Sequence, residues 1–138
     1  MSNRKGMRSD LANRVMRVCA KSTGEVRVEL IERNPKTAEA IWTALPFEST
    51  AELWGDEIYF KIPAKVQEEK SRKDVELGDV AYWPPGESMC IFFGPTPISD
   101  TEKPMAYSPV NVFGKVIGDP KIFKRVGIGE KIKVERES

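Results

Sequence analysis

In the run Glu57-Ile58-Tyr59-Phe60-Lys61-Ile62 a carboxylate, a phenol and an ammonium group alternate with three apolar side chains. A two-residue period puts Ile58, Phe60 and Ile62 on one side of a strand and Glu57, Tyr59 and Lys61 on the other. A neighbouring carboxylate and phenol can exchange a proton with a substrate or hold the polar end of a ligand. Paired with Asp56 or Asp79, Glu57 could also act as a base or bind a cation. A hard cation, however, needs several convergent oxygens. Asp56 and Asp79 each lie next to a glycine, where aspartates more often bond the backbone of a turn. No metal site and no cofactor are expected.

Residue types exclude other chemistry. The chain has 138 residues and no histidine, which removes Ser-His-Asp and Cys-His catalysis, His-ligated zinc and imidazole acid/base chemistry. Ser108 and Thr96 have no evident activating base. Cys19 and Cys90 are too few for a disulfide framework and read as small buried thiols. Gly78, Gly86, Gly94 and Gly114 lack phosphate-loop spacing and read as corners and bulges of a sheet.

The length fits one domain with a single core. With 22 basic against 21 acidic residues, the net charge predicts no polyanionic partner. Residues 1–14 form a polar, basic extension, expected to be flexible, and nucleic acid is an unlikely partner because aromatics are not interleaved with the basic residues. No signal peptide and no apolar run of about 18 residues appears, so a soluble, cytoplasmic protein without membrane contact is expected.

The elements that must position Glu57 and Tyr59 are mostly strands. Val15–Ala20 and Glu25–Ile31 flank Ser22-Thr23-Gly24, a hairpin signal. Asn34-Pro35 starts a helix, with Asn34 as its cap and Ala38, Ile41, Trp42 and Leu45 as its apolar stripe. Pro46 ends it. Phe47–Ile62 reads as two strands around the turn Trp54-Gly55-Asp56, and Lys65–Lys73 as a mobile charged loop. Val80–Trp83 and Met89–Phe93 flank the turn Pro84-Pro85-Gly86, the second strand being apolar on both faces and therefore central. Ile98–Pro109 reads as a long ordered loop, Val110–Ile117 as a strand, Pro120–Val126 as a second short helix and Lys131–Glu135 as the last strand. Trp42, Phe47, Phe60, Phe92 and Phe113 read as core. Strands recurring at roughly ten-residue intervals argue for a barrel over a sandwich.

The segment Val112-Phe113-Gly114-Lys115-Val116, with the helix, glycine turn and strand that follow it, resembles the C-terminal part of cyclophilins. Trp54 to Phe60, Gly78 to Pro97 and Ser108 to Val112 are more closely similar to a family of small prokaryotic cyclophilin-like proteins of unassigned function. The resemblance spans about Val26 to Glu135 and implies a mainly β fold, a closed barrel of about eight strands with one or two short helices, in a single domain placed at residues 15–138. It also implies loss of the cyclophilin site. The arginine of true cyclophilins falls near Ala51, Glu52 and Leu53, its methionine at Glu57, its glutamine after the turn at Tyr59, and its histidine at Val110. The alanine and asparagine of the next strand fall at Trp83 and Pro84, and the second glutamine and the pocket phenylalanine at Met89 and Ile91.

On that shared geometry Glu57, Tyr59, Trp83, Met89, Ile91 and Val110 line a concave face, with Tyr107 on its rim. The expected function is binding of a peptide or small ligand with an apolar part, without the catalytic arginine. Two alternatives stand beside it: a divergent peptidyl-prolyl isomerase, and a module that docks to a protein partner. Against the groove stands the plainer reading that Trp83 and Tyr59 simply cap the barrel and Glu57 is solvated.

Overall fold

The computed structural model describes residues 14–137. The predicted extension over residues 1–14 therefore lies, apart from Arg14, outside the described residues. The strands are β1 (Val15–Ala20), β2 (Gly24–Leu30), β3 (Phe47–Thr50), β4 (Glu52–Leu53), β5 (Glu57–Lys61), β6 (Arg72–Asp74), β7 (Asp79–Trp83), β8 (Ser88–Phe92), β9 (Met105–Val116) and β10 (Lys131–Arg136). The helix α1 spans Pro35–Ala44, and Pro84–Gly86 and Pro120–Arg125 are short 3-10 segments. No helix among the described residues is long and apolar enough to cross a membrane.

One sheet runs in the order β3-β10-β1-β2-β9-β7-β8-β5-β4, with β6 paired to β9. The fold is mainly β, as expected, but hydrogen bonds do not close the sheet. Its two end strands, β3 and β4, are consecutive pieces of one chain separated by Ala51. At that residue the chain leaves β10 and takes up β5 as its partner. Ala51 donates its N–H to the Glu130 carbonyl at 2.9 Å and accepts from Gly129 N–H at 2.8 Å. The barrel expected from the resemblance is thus a ten-stranded sheet whose ends meet through the covalent chain.

The main core lies on the inner side. Met16, Val18, Val28 and Leu30 from β1 and β2 meet Ile58, Phe60, Val80, Tyr82, Met89, Ile91, Ile132 and Val134, with Ala38 and Ile41 of α1 packed against them. Burying these side chains supplies most of the folding drive, at about 25 cal/mol per Å² of apolar surface. A second apolar cluster covers the other face of the central strands: Val75, Ala81, Cys90, Phe92, Ala106, Val110 and Val112. All five residues of β8 are buried, so its unbroken apolar run follows from its having a core on each side.

Two segments differ from the sequence reading. The strand β9 begins at Met105, five residues before the expected start at Val110, because the earlier half pairs with β6, which overlaps the end of the segment read as a mobile loop. That loop is also pinned by buried polar groups. Asn34, expected to cap α1, makes no cap hydrogen bond. Its side chain instead donates to the Val112 carbonyl at 2.7 Å and accepts from Lys70 N–H at 2.6 Å. The helix is capped by Glu69, whose carboxylate accepts from the N–H groups of Lys36 and Thr37 and from the Thr37 hydroxyl. Fully buried Asn111 donates to Thr37 Oγ1 and the Gln67 carbonyl and accepts from Glu69 N–H. Charge made the segment look solvated, whereas its backbone is what two buried amides require.

Trp42 lies at the edge of the core, with the guanidinium groups of Arg14 and Arg136 at 5.1 and 4.9 Å over its ring. Phe47, Phe60, Phe92 and Phe113 are buried as expected. Cys90 is buried, but Cys19 is only half-buried.

Candidate functional site

A pocket of about 210 Å³ opens on the outer side of the sheet, lined by Trp54, Glu57, Tyr59, Trp83, Cys90, Tyr107 and Val110. Strand pairing explains the set. In the β5–β8 ladder Tyr59 faces Cys90 and Glu57 faces Phe92, while Ile58 faces Ile91 and Phe60 faces Met89. Side chains directly opposite share a face of the sheet. The outer face therefore carries Glu57, Tyr59, Cys90 and Phe92, and the inner face carries Ile58, Phe60, Met89 and Ile91.

Met89 and Ile91, expected in the groove, are fully buried in the inner core, and Cys90 between them reaches the pocket. The assignment by resemblance slipped one residue along β8, and in a strand one residue reverses the face. Of the other expected residues, Glu57, Tyr59, Trp83, Val110 and Tyr107 all line the pocket. The sequence reading gave Trp54 only to a turn. The signal that could have found it is the spacing of two large aromatics, Trp54 and Tyr59, across a tight turn in a strand pair.

The turn that presents Trp54 is locked against the corner Gly94-Pro95-Thr96-Pro97. Asp56 N–H donates to the Pro95 carbonyl at 3.0 Å, and Phe93 N–H to the Asp56 carbonyl at 2.9 Å. Gly55 has a φ of 61°, and a Cβ there would come within 2.9 Å of Thr96 Cα. Only glycine meets both demands.

Four rings follow one another at nearly right angles. Trp54 and Tyr107 have centroids 5.8 Å apart with an 88° interplanar angle, Tyr107 and Trp83 6.2 Å and 89°, and Trp83 and Tyr59 6.4 Å and 78°. Such edge-to-face contacts are the favoured geometry of aromatic pairs. Trp83 Nε1 donates to Ser108 Oγ at 2.6 Å, which fixes the indole. Tyr107 is 67% exposed and forms the outer wall.

Glu57 is not solvated: its exposure is 6%. Burial raises its pKa from the ordinary 4.5 to about 7, opposed by a hydrogen bond with Cys90. Burial first, and Glu57 second, push the Cys90 thiol well above its usual range, so it stays protonated. Tyr59 is raised by burial and by the charges of Glu52, Glu57 and Cys90. None of the lining residues is basic. Glu52, at one of the positions where the resemblance looked for an arginine, pairs with Tyr59 across β4 and β5.

Elsewhere, one group of three potential metal ligands converges among the described residues, Cys19, Glu25 and Glu135. Arg17 sits among them, 3.7 Å from Glu25 and 3.1 Å from Glu135. These are ordinary ion pairs on the sheet surface. Asp79 behaves as a turn residue, accepting from Glu76 N–H and from the Lys115 ammonium.

A family model described as cyclophilin-like matches residues 14–135. The chain belongs to this cyclophilin-like family. It is also similar to a hypothetical protein of Archaeoglobus fulgidus whose solution structure is known. The two share 47% identity and a TM-score of 0.79, over 91% of this chain and 96% of that one. No curated protein matches the chain.

Proposed function

We propose that the protein binds a peptide side chain or a small molecule with an apolar part in the pocket over Glu57, and that it does not isomerise proline bonds. The observation that carries this reading is the pocket's wall: four aromatic rings around a buried carboxyl group. Ligand sites are typically concave and apolar with a few convergent polar groups. A space of about 210 Å³ suits a ring or a branched side chain, since a cavity of ~150 Å³ already admits benzene.

The case against catalysis is electrostatic. Twisting an X-Pro bond breaks amide resonance, with a barrier of about 20 kcal/mol. A preorganised donor aimed at the twisted amide is commonly worth about 3–4 kcal/mol. The wall here offers a carboxyl group and two phenols instead of a guanidinium. A site that holds substrate and twisted state equally well raises no rate constant.

A chemical-shift screen with ring-sized fragments and a proline-containing tetrapeptide tests the reading. Hits should move the amides of residues 57–59, 83, 90, 107, 108 and 110; hits that cluster elsewhere, or no hits at millimolar concentration, reject it. A protease-coupled assay on the same tetrapeptide should show only the uncatalysed rate, and clear acceleration would restore the isomerase. If the same amides moved only with a protein partner, the docking module would replace the small ligand.

A further inference from the structure

The ring geometry and the buried carboxyl group narrow the ligand further. We propose that the pocket is an aromatic cage for an alkylated ammonium ion, with Trp54, Tyr59, Trp83 and Tyr107 as its walls and Glu57 as its counter-ion. The inference rests on the binding reading above and specifies its ligand class.

Aromatic faces carry partial negative charge, and a cation within about 6 Å of a ring centroid is attracted to them. Rings stacked flat would offer one or two faces. Here each ring is set at 78–89° to the next and all four line the same pocket, so they surround it from several directions instead of stacking on one side. Two indoles and two phenols supply the ring types that hold cations best, tryptophan first among them.

Glu57 gives the cage its sign. Its carboxyl group lies against an apolar floor made by Phe92, Val110 and Val112, and no cation is among the groups that act on it. A buried ionised carboxylate needs a partner. A neutral apolar ligand would bury it further and supply none. An anion would meet both the carboxylate and the negative ring faces. A bare metal ion would find one carboxylate beside a thiol held protonated, far short of the oxygen set it requires. An alkylated ammonium gives up hydration easily, is broad enough for a space of about 210 Å³, and offers charge to both the rings and the carboxylate.

The titratable groups facing Glu57 are Tyr59 on its own strand, Cys90 from β8 and Tyr107 from β9, with Glu52 of β4 beside Tyr59. None is a base that could replace the ligand's charge. Since Glu57 titrates at about 7 in the free protein, a cation favours its ionised form. Affinity should therefore rise with pH through that value and level off above it.

Two sources share this chemistry: a free quaternary ammonium compound and a methylated lysine on a peptide. Calorimetry with choline, with a trimethyl-lysine peptide and with 3,3-dimethyl-1-butanol, the uncharged isostere of choline, tests the proposal and separates them. Choline or the peptide should bind at least about tenfold more tightly than the isostere. Their affinity should fall about tenfold between about pH 8.5 and about pH 5.5, and Glu57→Gln should abolish that dependence. Trp83→Ala should weaken binding about tenfold or more. If that variant fails to fold, Tyr107→Ala carries the same expectation from an exposed position. Equal binding of choline and the isostere, or unchanged choline binding in Glu57→Gln, would overturn the cage while leaving an apolar pocket in place. No binding of any cation at millimolar concentration overturns it as well, and the fragment screen then decides whether the pocket binds anything.

Discussion

Glu57 is where the sequence-level pattern and the folded environment pull apart. Alternation put it with Tyr59 and Lys61 on a polar face, and the face is right, yet Trp54, Trp83 and the β9 residues Tyr107 and Val110 wall in that side of the strand, and Glu57 is only 6% exposed. Only long-range packing reveals this, because Tyr107 and Val110 reach the pocket from a strand far along the chain from Glu57. The same residue carries a stability prediction. Its pKa is raised from 4.5 to about 7 on folding, so between those values the folded state holds a proton that the unfolded chain has released. The contribution of Glu57 to stability then falls as pH rises through that window and is constant below and above it. The full displacement corresponds to about 3 kcal/mol for a group this buried. Glu57→Gln, which cannot ionise, should gain stability relative to the parent as pH rises from about 4.5 to 7. Its advantage should reach a plateau above that. Denaturant unfolding of both proteins across pH measures the gap, and a gap that does not change with pH would mean Glu57 ionises without penalty.

At the level of elements, the turn between β7 and β8 shows how a short motif places a functional side chain. Pro84-Pro85-Gly86 was legible as a turn, and it folds as one turn of 3-10 helix. The left-handed residue is not Gly86, however, but Glu87, with φ 48°. Gly86 is there for another reason: a Cβ on it would overlap the six-membered ring of Trp83. The six-membered ring of the indole packs against the glycine, and its Nε1 is held by Ser108. Gly86→Ala should therefore swing Trp83 away from Tyr59 and Tyr107, changing the near-ultraviolet circular dichroism and weakening any pocket ligand, with far-ultraviolet signal retained. An unchanged near-ultraviolet spectrum would show that the ring has room to give. The charged segment 65–73 teaches the converse lesson. Composition alone suggested a solvated loop, and nothing local marks Glu69 as the cap of a helix that begins more than thirty residues earlier, or Asn34 and Asn111 as its anchors. The helix itself was readable from Pro35, its apolar stripe and Pro46, because those signals are local.

Across the whole molecule, the sheet is unevenly supported. The strands β7, β8 and the middle of β9 are buried on both faces, between the inner core and the second apolar cluster. At the other extreme, β3 and β10 bury one face only, as the alternating pattern of β10 shows, and the sheet passes from β3 to β4 without a ladder across the join. Local opening free energy follows buried contact and protected backbone bonds. Amides of residues 80–82, 89–92 and 112–114 should thus exchange only through global unfolding. Those of residues 47–53 should exchange through a smaller opening in which Ala51 releases Glu130 and Gly129. That opening does not involve β8 or β9, so the floor of the pocket should stay protected while the join breathes. Native-state hydrogen exchange in low denaturant distinguishes the two classes by their slopes. A single slope shared by all these amides would mean that the covalent join at Ala51 holds the sheet as firmly as a hydrogen-bonded ladder.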